Sequence, residues 1–317
     1  MFKSIALAGL ATLLVATAAP AYAGDGIDLL KFAPETSQMV LVFDLNDARD
    51  SALLQKGFST LLDTSADAKT KLAQLGLDPM KDIDTVLFAG GSATDMSMDK
   101  AKDVLIIVEG RLPKDKISTV PNAVKSTYQG IAIYTSSDTD AAFIGDRLFF
   151  TKKGKMKATI DIALNKGKGK GKNVAVSKKA KALRDAIAAT DTAADLWAAV
   201  LVPAKEQKDM QAKQGMVAKT VSAGFNFSAD LAMTLKLGTD GAASATKAVE
   251  MIQAMLPQAV SGMGQFGLSK AAKSLTVKQD LASVNIAIKL TEAELMSMVK
   301  LVQQFSGGAS GSPAMNP

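Results

Sequence analysis

The sequence predicts an α+β fold. It reads as two similar halves, each an antiparallel sheet with helices packed on one face, and the pair is a candidate divergent repeat. Three observations support this. Apolar runs of strand length come in hairpin-spaced groups and not in strict βαβ alternation. Segments with one apolar helical face interrupt them. A Gly/Lys-rich stretch at residues 166–176 separates the two groups and reads as a flexible linker or loop.

Residues 1–23 read as a signal peptide. Lys3 supplies the positive end, Ile5 to Val15 an apolar core of 11 residues, and Ala21-Tyr22-Ala23 an A-x-A cleavage site after Pro20. That core is shorter than the roughly 20 residues that span a bilayer. Export to the periplasm or the exterior, with cleavage near Ala23, is therefore expected. No later run holds 18 uninterrupted apolar residues, so no transmembrane segment is expected in the mature chain. The chain contains no Cys. An exported protein without disulfides must draw its stability from core packing.

The first half spans residues 24–165. Met39 to Leu45 (MVLVFDL) is a short apolar run between Pro34 and Asn46-Asp47, and reads as a buried strand. Leu54, Phe58, Leu61 and Leu62 then share one helical face, with Asp50 or Ser51 as the cap. A second helix, Ala66 to Leu75, should end at Gly76. Strands are expected at Asp84 to Ala89, Val104 to Glu109, Gly130 to Thr135, Ala141 to Ile144 and Arg147 to Thr151. Gly145-Asp146 makes a Gly-first hairpin turn between the last two. Lys157 to Leu164 closes the half as a helix.

The second half spans residues 177–306. Lys178 to Ala189 is helical by composition, and Leu196 to Val202 is a strand ended by Pro203. Phe225 and Phe227 begin an alternation that continues through Leu231, Met233, Leu235 and Leu237 after Ser228-Ala229-Asp230, which predicts a hairpin. Ala242, Ala245, Val249, Ile252 and Leu256 form a helical face. Strands follow at Ser274 to Gln279 and Ser283 to Leu290. Thr291 and Glu294 have capping-box spacing before a last helix with Leu295, Val299, Val302 and Phe305. Residues 307–317 have the composition of a disordered tail.

The order of features resembles an uncharacterised class of exported bacterial α+β proteins of unknown function. Phe32-Ala33-Pro34-Glu35-Thr36 leads into Val40-Leu41-Val42-Phe43-Asp44-Leu45, a helix begins near Asp50-Ser51, and Gly76-Leu77-Asp78-Pro79-Met80-Lys81-Asp82-Ile83-Asp84 precedes a strand. The resemblance covers the mature first half well and the second half by pattern. It implies a periplasmic or secreted protein and transfers no catalytic residue.

Composition narrows the chemistry. With no His and no Cys there is no Ser-His-Asp triad, cysteine nucleophile or ordinary zinc site. No nucleotide-binding glycine pattern occurs, so neither cofactor nor metal is expected. The basic excess is local. Residues 152–181 hold Lys152, Lys153, Lys155, Lys157, Lys166, Lys168, Lys170, Lys172, Lys178, Lys179 and Lys181 against the single acid Asp161. Outside this stretch the mature chain is mildly acidic. These lysines could contact an anionic polymer or lipid headgroups, or could simply form a solvated loop. Nucleic acid is disfavoured, because the Gly-Lys run carries no Arg and no aromatic for stacking.

Two other groups deserve weighing. Asp44, Asp47 and Asp50, and Asp78, Asp82 and Asp84, could serve a carboxylate-dependent hydrolase or bind Ca²⁺. As structural residues, Asp50 and Asp78 would cap helices, the latter with Pro79 at the first helical position. The chain also has 15 Met, including Met96 with Met98, Met251 with Met255, and Met296 with Met298, which offer thioethers for Cu(I) or fill core gaps. One Trp, Trp197, and 5% aromatics argue against a carbohydrate-binding face. The leading expectation is a non-enzymatic binding or structural protein of the cell envelope. The alternatives are a carboxylate-only hydrolase and peripheral attachment to an anionic surface through residues 152–181.

Overall fold

The computed structural model describes residues 25–64, 70, 72–73, 76–91, 104–117, 123–165 and 172–298. The expected signal peptide, the tail, Met96, Met98, Lys166, Lys168, Lys170, Val299, Val302 and Phe305 lie outside them, as does most of the expected helix at 66–75.

Twelve strands form one antiparallel sheet. They are β1 (Met39–Asp44), β2 (Ile83–Gly90), β3 (Leu105–Gly110), β4 (Val124–Tyr128), β5 (Ile131–Thr135), β6 (Thr139–Ile144), β7 (Arg147–Lys152), β8 (Leu196–Leu201), β9 (Ala218–Phe227), β10 (Asp230–Thr239), β11 (Thr276–Asp280) and β12 (Ser283–Thr291). Their order across the sheet is β11-β12-β10-β9-β8-β1-β2-β3-β7-β6-β5-β4. The α+β class with antiparallel pairing is as the sequence predicts. The two expected sheets are one, because β1 pairs β8 in register, with Val42 opposite Trp197. The halves are also unequal, with seven strands before residue 153 and five after 195 among the described residues. They carry no direct sign of a repeat.

Helices pack on both faces, not on one. The reason lies in β1, whose residues are apolar on both sides of the pleat up to Asp44, the pattern of a strand covered twice. Val40, Val42, Leu87, Ala89, Ile107 and Trp197 face a cluster completed by Leu29, Phe32, Met156, Ile160 and Leu183. The helices on that side are α1 (Met156–Ala163) and α2 (Lys181–Ala188), with a short 3-10 turn at Asp25–Lys31. On the other face Leu41, Phe43, Val86, Phe227, Leu231 and Leu290 meet Leu45, Leu54, Leu268 and Leu295. A third cluster joins Ala218, Leu237 and Val284 to Ala245, Ala248 and Ile252 of the 24-residue helix Ala242–Gln265.

Local signals explain the element ends. The Ser51 hydroxyl accepts from the Leu54 N–H and so caps the helix Ala52–Thr64. Asp44 caps the short turn Leu45–Ala48, and Asp78 caps Pro79–Asp82 with Pro79 at the first position. Thr291 and Glu294 close a capping box before residues 292–298. Gly145 turns the β6–β7 hairpin with φ +65.

Candidate functional site

The lysine stretch contains a built feature. β7 ends at Lys152, the chain turns at Lys153-Gly154, and α1 begins at Met156. Asp140, buried on β6 opposite Thr151, fixes this turn. One carboxylate oxygen accepts from the Thr135 hydroxyl at 2.7 Å and the other from the Gly154 N–H at 2.7 Å. Lys155, Ala158, Thr159 and Ile162 then lie at helical spacing along one side of α1.

The facing wall comes from two segments far apart in sequence. Residues 33–35 pair with 172–174. The Glu35 N–H donates to the Lys172 carbonyl at 3.0 Å, and the Val174 N–H donates to the Ala33 carbonyl at 2.8 Å. Val174 is fully buried in the core, so residues 172–176 are anchored and do not swing as a linker. Arg184 of α2 donates to the Val174 carbonyl at 2.9 Å and also to the Ser177 carbonyl.

Between these walls lies a cleft of about 220 Å³. Thr151 and Leu105 line it from the sheet, Pro34, Glu35 and Thr36 from one side, and Lys155 and Lys172 add positive charge. Glu35 accepts from the Ser177 hydroxyl and from Lys179 Nζ at 3.2 Å. The Ser177 hydrogen bond and then Lys179 hold its carboxyl below the ordinary glutamate range, so it stays ionised. Lys155 and Lys172 thus line the cleft, while Lys179 pairs with Glu35 beside it.

The remaining predicted lysines are not all brought there. Lys157 lies over the Tyr128 ring at 5.6 Å, and Lys181 pairs with Asp185 at 2.6 Å within its own helix. Lys153 and Lys178 are exposed, and Lys152 is half-buried. Sequence reasoning missed Thr151 and Glu35. Thr151 sits in an ordinary strand pattern, and Glu35 acquires its partners only when residues 172–179 return to it.

The acidic groups separate into different roles. Asp84 pairs with Arg49 at 2.6 Å, and Asp78 pairs with Lys81 at 2.8 Å. Asp82 accepts from the Asp78 N–H at 2.8 Å. The perturbed carboxylate is Asp195, which the sequence did not single out. Burial pushes its pKa up to about 7 against the Phe227 N–H it accepts from, and the charges of Asp47, Asp44 and Asp191 add to the rise. Its own carbonyl accepts from the Asp44 N–H at 2.7 Å, at the end of the central β1–β8 pair. Asp195 lines neither the 220 Å³ cleft nor a second cleft of about 270 Å³, which holds Asp191, Lys236 and Asn285.

Other candidates are structural. Met251 packs in the third cluster while Met255, one turn on, is 67% exposed. Trp197 is buried in the core. Among the described residues no group of three or more acids could hold a metal ion. No described helix is long and apolar enough to cross a membrane.

No protein-family model matches the chain, and no curated protein does. Solved structures do. Crystal form III of TP0453 superposes with a TM-score of 0.52 at 10% identity, over 86% of this chain and 96% of that one. Crystal form I of the same protein gives 0.48 at 10% identity, over 86% of this chain and 95% of that one. The likeness is one of fold.

Proposed function

We propose that the chain is an exported, non-enzymatic binding protein of the bacterial cell envelope that attaches to an anionic surface through the lysines of residues 152–181. The observation that carries this is the placement of Lys155 and Lys172 along one cleft with Lys179 beside it on Glu35, while the rest of the mature chain is mildly acidic. Export rests on the n-region, apolar core and A-x-A site of residues 1–23, and on the resemblance to exported bacterial proteins.

Co-sedimentation with vesicles tests it. The mature chain should pellet with phosphatidylglycerol vesicles at low salt, be released as ionic strength rises, and ignore phosphatidylcholine. The triple variant Lys155→Gln, Lys172→Gln, Lys179→Gln should stay in the supernatant. Salt-independent binding, or none, would reject the reading.

A carboxylate-only hydrolase is the second reading. The raised pKa of Asp195 near Asp44, Asp47 and Asp191 favours it, since one carboxyl pushed up among other acidic side chains is an arrangement such enzymes use for acid/base work. The position of Asp195 away from both clefts counts against it.

A further inference from the structure

We infer that the outer half of the helix Ala242–Gln265 is a self-association surface, on which a second copy of this chain packs antiparallel. This goes beyond attachment to an anionic surface and does not depend on it. The first half of the helix is docked, with Ala245, Ala248 and Ile252 in the third cluster. Further on, Met263 packs in the second cluster, but the side next to it is left bare. Met255, Ala259, Gly262 and Phe266 are spaced i, i+4, i+7 and i+11, which places them along one side of the helix. Met255 is 67% and Phe266 50% exposed, Ala259 is exposed and Gly262 half-buried. Single exposed apolar residues are ordinary, whereas a continuous row marks a surface that is covered in use.

Charge identifies the partner. Residues 251–269 contain no Asp, Glu, Lys or Arg. Around a two-fold axis each charge approaches its own copy, so an uncharged stretch suits self-pairing. The same lack disfavours a bilayer, because helices lying in its interface carry a Lys/Arg-rich polar face. Here the flanking residues are the neutral Gln258, Ser261 and Gln265. The order of sizes is also self-complementary. With the axis between Val260 and Ser261, Met255 meets Phe266 of the second copy, a favourable thioether–ring contact, and Ala259 meets Gly262. Glu250 then points towards the end that carries Lys270 in the second copy. Gly262 itself lacks a reason within the chain. A Cβ there would meet nothing within 4 Å, and glycine is disfavoured inside a helix. A closely approaching partner backbone supplies the reason. The face from Met255 to Phe266 is only about 16 Å long. It buries less than the roughly 800 Å² per partner of a stable complex, so the dimer is a weak one that separates on dilution.

Sedimentation equilibrium of the mature chain tests this from micromolar to about millimolar concentration. The average mass should climb from monomer towards dimer. Met255→Lys, Phe266→Glu and Gly262→Gln should each remain monomeric. Gly262→Gln should keep or raise Tm, since nothing in its own chain crowds the new side chain and the helix propensity improves. That separates lost pairing from lost folding. An equal mixture of the Met255→Lys and Phe266→Glu chains should associate again, because antiparallel pairing sets the new lysine against the new glutamate and leaves one Met255–Phe266 contact intact. A wild-type chain that stays monomeric throughout would overturn the inference. So would a dimer that all three variants preserve, or a mixture that fails to associate. A monomeric wild type that pellets with phosphatidylcholine vesicles, and loses this in Met255→Lys, would assign the face to lipid and overturn it as well.

Discussion

At the scale of the residue, burial decides which charges matter. Asp195 has a folded-state pKa of about 7 against an ordinary value of 3.8. Between those values the folded chain holds a proton that the unfolded chain has lost. Stability from this group is therefore greatest near pH 4, falls as pH rises towards 7, and levels off above. Asp195→Asn keeps an oxygen for the Phe227 N–H and cannot ionise. Thermal melts from pH 4 to pH 8 should show a higher Tm than wild type at pH 8 and a smaller loss between pH 4 and pH 7. Glu294 works in the opposite sense. Burial pushes its pKa up, but donors from Thr291, Ala271 and Lys270 outweigh this and hold it below the ordinary glutamate range. Its contribution is present above pH 4.5 and is lost as pH falls through its lowered pKa. The Thr291–Glu294 box was legible from spacing. The pKa of Asp195 was not, because it depends on residues separated by about 150 positions, which meet only in the folded sheet.

At the scale of the element, pattern was readable where one face is apolar and unreadable where none is. The alternation in Val284, Ile286, Ile288 and Leu290 gives β12, and these residues do pack on one face. The edge strand β4 was missed because VKSTY is almost entirely exposed and has no buried side to mark it. The helix Ala204–Gln214 was missed for the same reason, having no buried residue. Gly215, at φ +64, ends it and accepts no Cβ without meeting Lys247. The Gly-Lys stretch was read as a linker across residues 166–176, yet the buried Val174 anchors its far end. Arg184 holds that anchor by two carbonyls. Arg184→Ala should remove the side-chain donor from the Val174 carbonyl and leave the Ser177 carbonyl only the Ala180 N–H, cost about 1–3 kcal/mol and speed tryptic cleavage after Lys172, read by mass spectrometry of timed digests.

At the scale of the whole molecule, the unexpected feature is continuity. Periodicity identifies strands but says nothing of their distant partners, so the β1–β8 pairing that fuses the halves was not legible. The largest cluster draws Val40 and Leu87 from one half and Leu183 and Trp197 from the other. Neither half keeps its core without its neighbour. Urea unfolding should accordingly be one transition, with the Trp197 fluorescence midpoint coinciding with that of far-UV circular dichroism. Two separated midpoints would mean that the halves unfold independently.

That pairing also orders events in time. Val42 and Trp197 lie 155 positions apart, so β1 can gain its second neighbour only after the chain has emerged beyond residue 201. Until then one flank of β1 offers unpaired backbone groups to any other strand. A chain with this topology folds late and slowly for its size, and its newly made first half is the species that a chaperone must guard.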